Sequence, residues 1–492
     1  MKYLIAIDQS TSATKALLYD EQGRVLDRSS REHRQIYPQP GWVEHDLEEI
    51  WNNVLTVSRD LISRHPDKSD SIAFVSLTNQ RETITVFEKG TGRPLAHAIV
   101  WQCRRGAPVC RELEEQGHGD LITQKTGLRL DTYFSASKLK WWVDQDVRLK
   151  KMLENGEALV GTIDTYLIYR LTQCQVFATD HTNASRTLLF DIGRCEWDEA
   201  LCQLFSVPSG ALPEVRHSSA SFGATALGGS LPKAVPICGV MGDSQAALFA
   251  QRCYQPGNAK ITFGTGSSVL LNLGHEFREP TGGCVTTIAW VMGGLPTYCL
   301  EGIINFSAAS LEWLKNQLGI LDDARDAGML ASEVRDNGGV YLIPAFAGLG
   351  APHWKPDARA AIVGLTSHSN RNHIIRAAEE SIAYQLRDVL AMMAGSAQVT
   401  LSGIQADGGP TRDAFLMQFT ADILGIDLCV SSEADCSSLG AAMCGMLGTG
   451  MRSSLDDLTA LPRESTVFSP SMAMNEVDDL VKGWHSAVSR VF

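Results

Sequence analysis

The sequence predicts an α/β protein in two halves, each opening on a β-meander. Three observations carry this. The stretch "YLIAIDQSTSATKALLYDEQGRVLDRSS" reads as three short strands, joined by a polar turn and then by "EQG". The same strand, polar turn and strand return at 257–276 in "GNAKITFGTGSSVLLNLGHE". Amphipathic helices are interleaved with both.

Taken in order, the first helix is predicted over 46–65. Its apolar residues Ile50, Val54, Val57 and Leu61 recur at helical spacing, and Leu55 and Ile62 widen the stripe. "SIAFVSLTNQRETITVFEKGTGRPL" (71–95) reads as strand, loop and strand, closed by "EKGTGRP". The Pro-Gly in "CYQPGNAK" marks a boundary, which divides the chain into domains of 1–250 and 251–492. "RNHIIRAAEESIAYQLRDVLAMM" (371–393) is an amphipathic helix. "QADGGPTRDAFLMQFTADILG" (405–425) is a strand end, a Gly-Gly turn and a helix.

With 492 residues, 44% of them apolar, the chain can bury sizeable cores without staples. A formal charge of −13 argues against nucleic acid or an anionic membrane as the main partner. The twelve cysteines show no C-x-x-C and no zinc-ligand spacing, which fits reduced thiols in a cytoplasmic protein. No apolar run approaches the roughly 18 residues that would suggest membrane insertion.

The polar turns are candidate phosphate cradles, because turn amides and hydroxyls donate to phosphate oxygens. The first offers Ser10, Thr11, Ser12 and Thr14, with Lys15 to add charge; the second offers Gly264, Thr265, Gly266 and Ser267. Each alone also fits an ordinary hairpin. "DGG" at 407–409 could use a helix N-terminus for an anion. Neither the P-loop pattern nor G-x-G-x-x-G after a strand is present. Asp243 follows an apolar stretch and precedes a helix-like run. It reads either as a helix cap or as a carboxylate aimed into a cleft. Arg81 and Glu82 form either a surface ion pair or a grip on neighbouring hydroxyls. Trp101 and Tyr133 read either as core or as pocket walls.

"QIYPQPGWVEHD", "TNQRET", "AIVWQCRR", "YFSASKLKWW", "TNASRTLLFDI", "GDSQAALF", "AFAGLGAPHW" and "DGGPTRDAFLMQ" occur in this order. Together they resemble the FGGY carbohydrate kinases, within them the glycerol kinases most closely, from residue 3 to about 446. The resemblance implies two RNase-H-like (actin-like ATPase) domains with ATP and a sugar or polyol in the cleft between them. It implies Asp243 as catalytic base and Asp8, with Asp243, beside Mg²⁺. It places Arg81, Glu82, Trp101, Tyr133, Ser244, Gln245 and Ser268 around the polyol. It places Ser10, Thr11, Ser12, Lys15, Gly264, Thr265, Gly266, Gly348, Gly408, Gly409 and Asp413 around the nucleotide. It also implies a homodimer or homotetramer.

Departures from that pattern bear on the substrate. Ser244 stands where glycerol kinases usually carry Gln, and Ser268 where they carry Phe, so an amide and an apolar wall are lost. A four- or five-carbon polyol or ketose is the alternative acceptor. Ser10 replaces a usual Gly. Ala234 stands where an Arg would hold fructose 1,6-bisphosphate, so that inhibition is not expected. A non-catalytic actin-like ATPase or a sugar sensor is the competing class. Asp243 together with four polyol contacts favours the kinase.

Overall fold

The computed structural model describes residues 1–355 and 357–492. Two sheets organise the chain. The first is built from β1 (Tyr3–Gln9), β2 (Ala13–Asp20), β3 (Val25–Glu32), β4 (Ile72–Asn79), β5 (Ser221–Thr225) and β6 (Val235–Gly242), in the order β5-β6-β4-β1-β2-β3. The second is built from β7 (Asn258–Phe263), β8 (Ser267–Gly274), β9 (Val285–Met292), β10 (Leu295–Ile304), β11 (Gly403–Gly408), β12 (Leu428–Ser431) and β13 (Ser465–Phe468). Its order is β9-β10-β8-β7-β11-β12-β13.

The two sheets follow one plan. An antiparallel meander (β3-β2-β1, then β10-β8-β7) continues through two parallel strands and ends on an antiparallel edge strand. Only β9 lacks a counterpart. This is the expected RNase-H-like duplication. The central strands are buried along nearly their whole length, as strands covered on both faces must be.

Six helices matter for the site: α1 (Leu47–Arg64), α2 (Ser135–Gln145), α3 (Asp243–Ala250), α4 (Arg371–Ala397), α5 (Ala414–Leu424) and α6 (Cys436–Gly448). The side chain of Asp46 accepts the amides of Glu48 and Glu49 and so starts α1. Its apolar stripe, Ile50, Val54, Val57 and Leu61, packs on the first sheet. Helix α6 comes from the far end of the chain, yet its Ala442, Met443 and Met446 pack with Leu4, Phe74 and Met241 of the first sheet. Glycines allow that approach. A Cβ on Gly440 would lie 1.8 Å from the Ala246 carbonyl oxygen in α3.

The second strand of the 71–95 stretch lies outside the first sheet. Ile84–Glu88 pairs with Ala158–Thr162 in a separate four-stranded sheet. The chain turns away after β4 because Glu82 takes a left-handed conformation, φ 61°. All twelve cysteines are free and most are buried. No helix among the described residues is long and apolar enough to cross a membrane.

A buried acid makes stability depend on pH. Asp164 accepts Thr162 Oγ1 at 2.5 Å and Thr179 Oγ1 at 2.6 Å. Burial first, then neighbouring Asp180, push its pKa up to about 7. The folded chain therefore keeps a proton that the unfolded chain releases above about pH 4. Stability from this group is present at low pH and lost as pH rises through 7. Asp164→Asn removes that slope. The parent should lose about 3–4 kcal/mol relative to the variant between pH 4 and 8, read from urea midpoints. Parallel curves for the two proteins would refute this account.

Candidate active site

Neighbouring strand ends bring the site together. Asn79 at the end of β4 is in register with Gln9 of β1 and Gly242 of β6. The residues that follow each strand are therefore neighbours: Ser10 onward, Gln80 to Thr83, and Asp243. In the second sheet Phe263 of β7 is in register with Gly408 of β11, so the turns after them also meet. Open α/β sheets bind ligands at this carboxyl edge.

Two cavities lie there. One, about 760 Å³, is lined by Thr11, Arg81, Glu82, Trp101, Tyr133, Asp243, Ser244, Gly264, Gly266, Ser268 and Glu301, among others. The other, about 570 Å³, is lined by Lys260, Asp407, Gly408, Gly409 and residues 430–434, together with Asp243 and Ser244. Both volumes suit small-molecule ligands. Asp243 is the one carboxylate on both walls among the described residues. It opens α3, its side chain is about a third exposed, and its Oδ1 accepts the Ser244 amide at 2.6 Å.

Around the larger cavity, Arg81 is buried. Its Nε lies 3.3 Å from Asp243 Oδ1, and its Nη2 lies 2.8 Å from Glu301 Oε1. Glu82 is buried too, and its Oε1 lies 2.5 Å from Arg186 Nε. Trp101 Nε1 donates to Thr11 Oγ1 at 3.0 Å, which ties this cavity to the first polar turn. The ring of Tyr133 packs 5.2 Å from that of Trp101. Ser268 Oγ has no hydrogen-bond partner among the described residues. Gln245 does not reach the wall. It is fully buried behind Arg81, with Oε1 3.3 Å from Nη1 of that arginine and Nε2 3.3 Å from the Ile288 carbonyl.

On the nucleotide side the picture is mixed. Gly408 needs its glycine: φ is 105°, and a Cβ would lie 1.9 Å from the Phe263 carbonyl oxygen. Gly264 and Gly266 line the larger cavity, and the Thr265 carbonyl accepts the amides of Ser307 and Ala309. Ser10 closes its own turn, with Oγ 3.0 Å from the Ala13 carbonyl, and Ser12 accepts the His33 amide through its carbonyl. Lys15 is engaged elsewhere, with Nζ 2.8 Å from Asp435 Oδ1. Asp413 caps α5. Gly348 lines a separate, much smaller pocket with His353 and Trp484.

Asp8 is buried at the end of β1. Burial raises its pKa to about 7; Lys15 opposes the shift, while Asp243 and Asp435 add to it. A carboxylate in that position favours a cation nearby. No group of three or more His, Cys, Asp or Glu side chains could hold a metal among the described residues. A carboxylate pair suits an ion carried mainly by phosphate and water.

Sequence reasoning missed three residues. Glu301 and Arg186 complete the buried charge cluster. Lys138 of α2 donates to the carbonyls of Thr132, Tyr133 and Phe134 at 2.8–2.9 Å, which fixes the turn that presents Tyr133. Its place inside "YFSASKLKWW" was the only available signal.

The N-terminal domain model of the FGGY family of carbohydrate kinases matches residues 3–250, and its C-terminal domain model matches 259–449. A glycerol kinase of Desulfitobacterium hafniense is 45% identical over 490 residues, all of this chain and 99% of that one. One from Shewanella frigidimarina is 46% identical, covering all of this chain and 98% of its own. The crystal structure of Plasmodium falciparum glycerol kinase with ADP superposes with a TM-score of 0.96 at 35% identity, over 100% of this chain and 98% of that one. A xylulose kinase from Rhodospirillum rubrum, 23% identical with a TM-score of 0.89, shares the fold over 99% of each chain. Motif order, duplicated sheets and both domain matches converge, and the chain belongs to the FGGY family of carbohydrate kinases, enzymes that phosphorylate a sugar or polyol hydroxyl with ATP.

Proposed function

We propose that the chain transfers the terminal phosphoryl group of ATP to a hydroxyl of glycerol or a closely related polyol, with Asp243 as general base. The observation that carries this is the single carboxylate, among the described residues, shared by the two cavities. The acceptor fits the larger cavity, between Arg81, Glu82, Trp101 and Tyr133. The nucleotide fits along Gly408 and Gly409, its phosphates directed toward the turns at Thr11 and Gly264–Gly266. Phosphoryl transfer needs positioning and charge neutralisation more than covalent assistance. Asp243 orients the attacking hydroxyl and takes its proton as the new P–O bond forms. Thr11, already held by Trp101, lies where acceptor and phosphates meet. Asp8 and Asp243 would hold Mg²⁺, which when bound supplies positive charge at the phosphates. A cytoplasmic location and a homodimeric or homotetrameric state belong to this proposal.

Glycerol as acceptor is supported by the full-length relatives at 45–46% identity that carry the name glycerol kinase. A second reading, a four- or five-carbon polyol or ketose, is supported by Ser268. Its hydroxyl lacks a partner on a wall shared with Ser244 and Ile303. ADP release measured over C3 to C6 polyols and ketoses separates them. A glycerol kcat/KM at least about tenfold above all others selects the first reading. If a longer substrate leads instead, Ser268→Phe should shift preference toward glycerol by about tenfold or more. Absence of acceptor-dependent ADP release across the panel would end both.

A further inference from the structure

Glu301 belongs to β10 in the second sheet, yet its carboxylate lies among side chains of the first half. It is buried, and it meets two buried guanidinium groups. Arg81 Nη2 lies 2.8 Å from Oε1, and Arg186 Nη2 lies 2.6 Å from Oε2. Burial opposes its charge, but Arg186 and then Arg81 outweigh that and hold its pKa down at about 2. Arg186 also takes up Glu82, at 2.5 Å. Nothing in the base, acceptor or phosphate roles assigned above uses Glu301.

We infer that Glu301 is a positioning residue for the transfer, keeping the Nη2 end of Arg81 from turning onto the carboxylate of Asp243, which Arg81 meets through Nε alone at 3.3 Å. Arg81 presents three faces. Nη2 is on Glu301, Nη1 is 3.3 Å from Gln245 Oε1, and Nε is 3.3 Å from Asp243 Oδ1. A buried guanidinium must keep a counter-charge. If Glu301 loses its charge, Glu82 is already engaged by Arg186 and stands 3.8 Å from Arg81 Nε. Asp243 is then the nearest carboxylate free to take the guanidinium. A two-point Arg81–Asp243 pair would engage Oδ2 as well as Oδ1, which already accepts the Ser244 amide, and so take the oxygen left for the acceptor's proton.

The strand adds a second consequence. In the β8–β10 ladder Glu301 faces Leu270, and the next pairs, Gly302 with Val269, Ile303 with Ser268 and Ile304 with Ser267, lead to the Gly264–Gly266 turn. The carboxylate thus fixes Arg81 relative to the strand that carries the second phosphate turn. The acceptor grip and the phosphate cradle share one rigid element.

This inference rests on the kinase reading, and one experiment separates the two. Full-length parent, Glu301→Gln and Glu301→Asp are assayed for polyol-dependent ADP release, with folding followed by thermal melting. The first should lower kcat by about tenfold or more while KM for ATP stays within about threefold, since Glu301 does not line the nucleotide cavity. Glu301→Asp keeps a negative charge beside both guanidinium groups, so no lone cation stays buried, but its carboxylate sits one methylene short of Arg81. It should fold and still lower kcat by about threefold or more. It therefore decides the matter if Glu301→Gln does not fold. A Glu301→Gln variant with kcat within about threefold of the parent overturns the inference. So does Glu301→Asp at the parental kcat, which would make Glu301 only a counter-charge. So does a KM for ATP that rises in step with the fall in kcat. A parent that releases no ADP with any polyol sinks the kinase reading, and this inference with it.

Discussion

Asp243→Asn should lower polyol-dependent ADP release by about a thousandfold while leaving ATP binding within a few fold. Asparagine fills the same space but cannot take the proton that the attacking oxygen must lose. The effect is expected to be large because no other carboxylate faces both cavities among the described residues. Glu82 and Glu301 are bound to guanidinium groups and cannot stand in. Asp243 also shares Arg81 at 3.3 Å, so the variant loosens the acceptor grip, and KM for the polyol should rise as well. Steady-state rates with nucleotide titration check this. A variant retaining a tenth of the parental kcat would remove Asp243 from the role of base.

Gly440→Ala should be among the most damaging small substitutions outside the catalytic residues. Its Cβ would meet the Ala246 carbonyl oxygen at 1.8 Å and the carbonyl carbon at 2.5 Å. These are backbone atoms of α3, so no side chain can swing aside. The helix-propensity gain of Gly→Ala, about 1 kcal/mol, favours the variant. Forced separation of two packed helices outweighs it, and a net loss of about 2–3 kcal/mol or more is expected. Because α3 begins with Asp243, kcat should fall too. Urea unfolding and kinetics check both. A variant as stable as the parent would mean that α3 and α6 do not meet as described.

How much of this was legible in the sequence depends on how far apart the partners lie. The first meander, the apolar stripe of α1 and the repeated polar turn are local, and each is written within about thirty residues. The duplication followed from comparing two such stretches. Asp243 could be read as a cap or a base, and only its place between two cavities distinguishes the roles. Glu301 left no local signal. It is one acid in the apolar strand "LPTYCLEGII", and its partners stand 220 and 115 positions earlier. Lys15 looked like a phosphate cation because its turn is polar. Asp435, which holds it, lies 420 residues further on. The strand Ile84–Glu88 was visible, but not its sheet, because Glu82 turns the backbone at a single residue.

The crossing of α6 onto the first sheet also bears on how the protein is made. Leu4, Phe74 and Met241 leave the ribosome well before the helix that covers them, which ends at Gly448. At about 5–20 residues per second, the interval between residue 250 and residue 448 lasts roughly 10–40 s. Through that interval the nascent chain carries an uncovered greasy surface, a ready client for a chaperone.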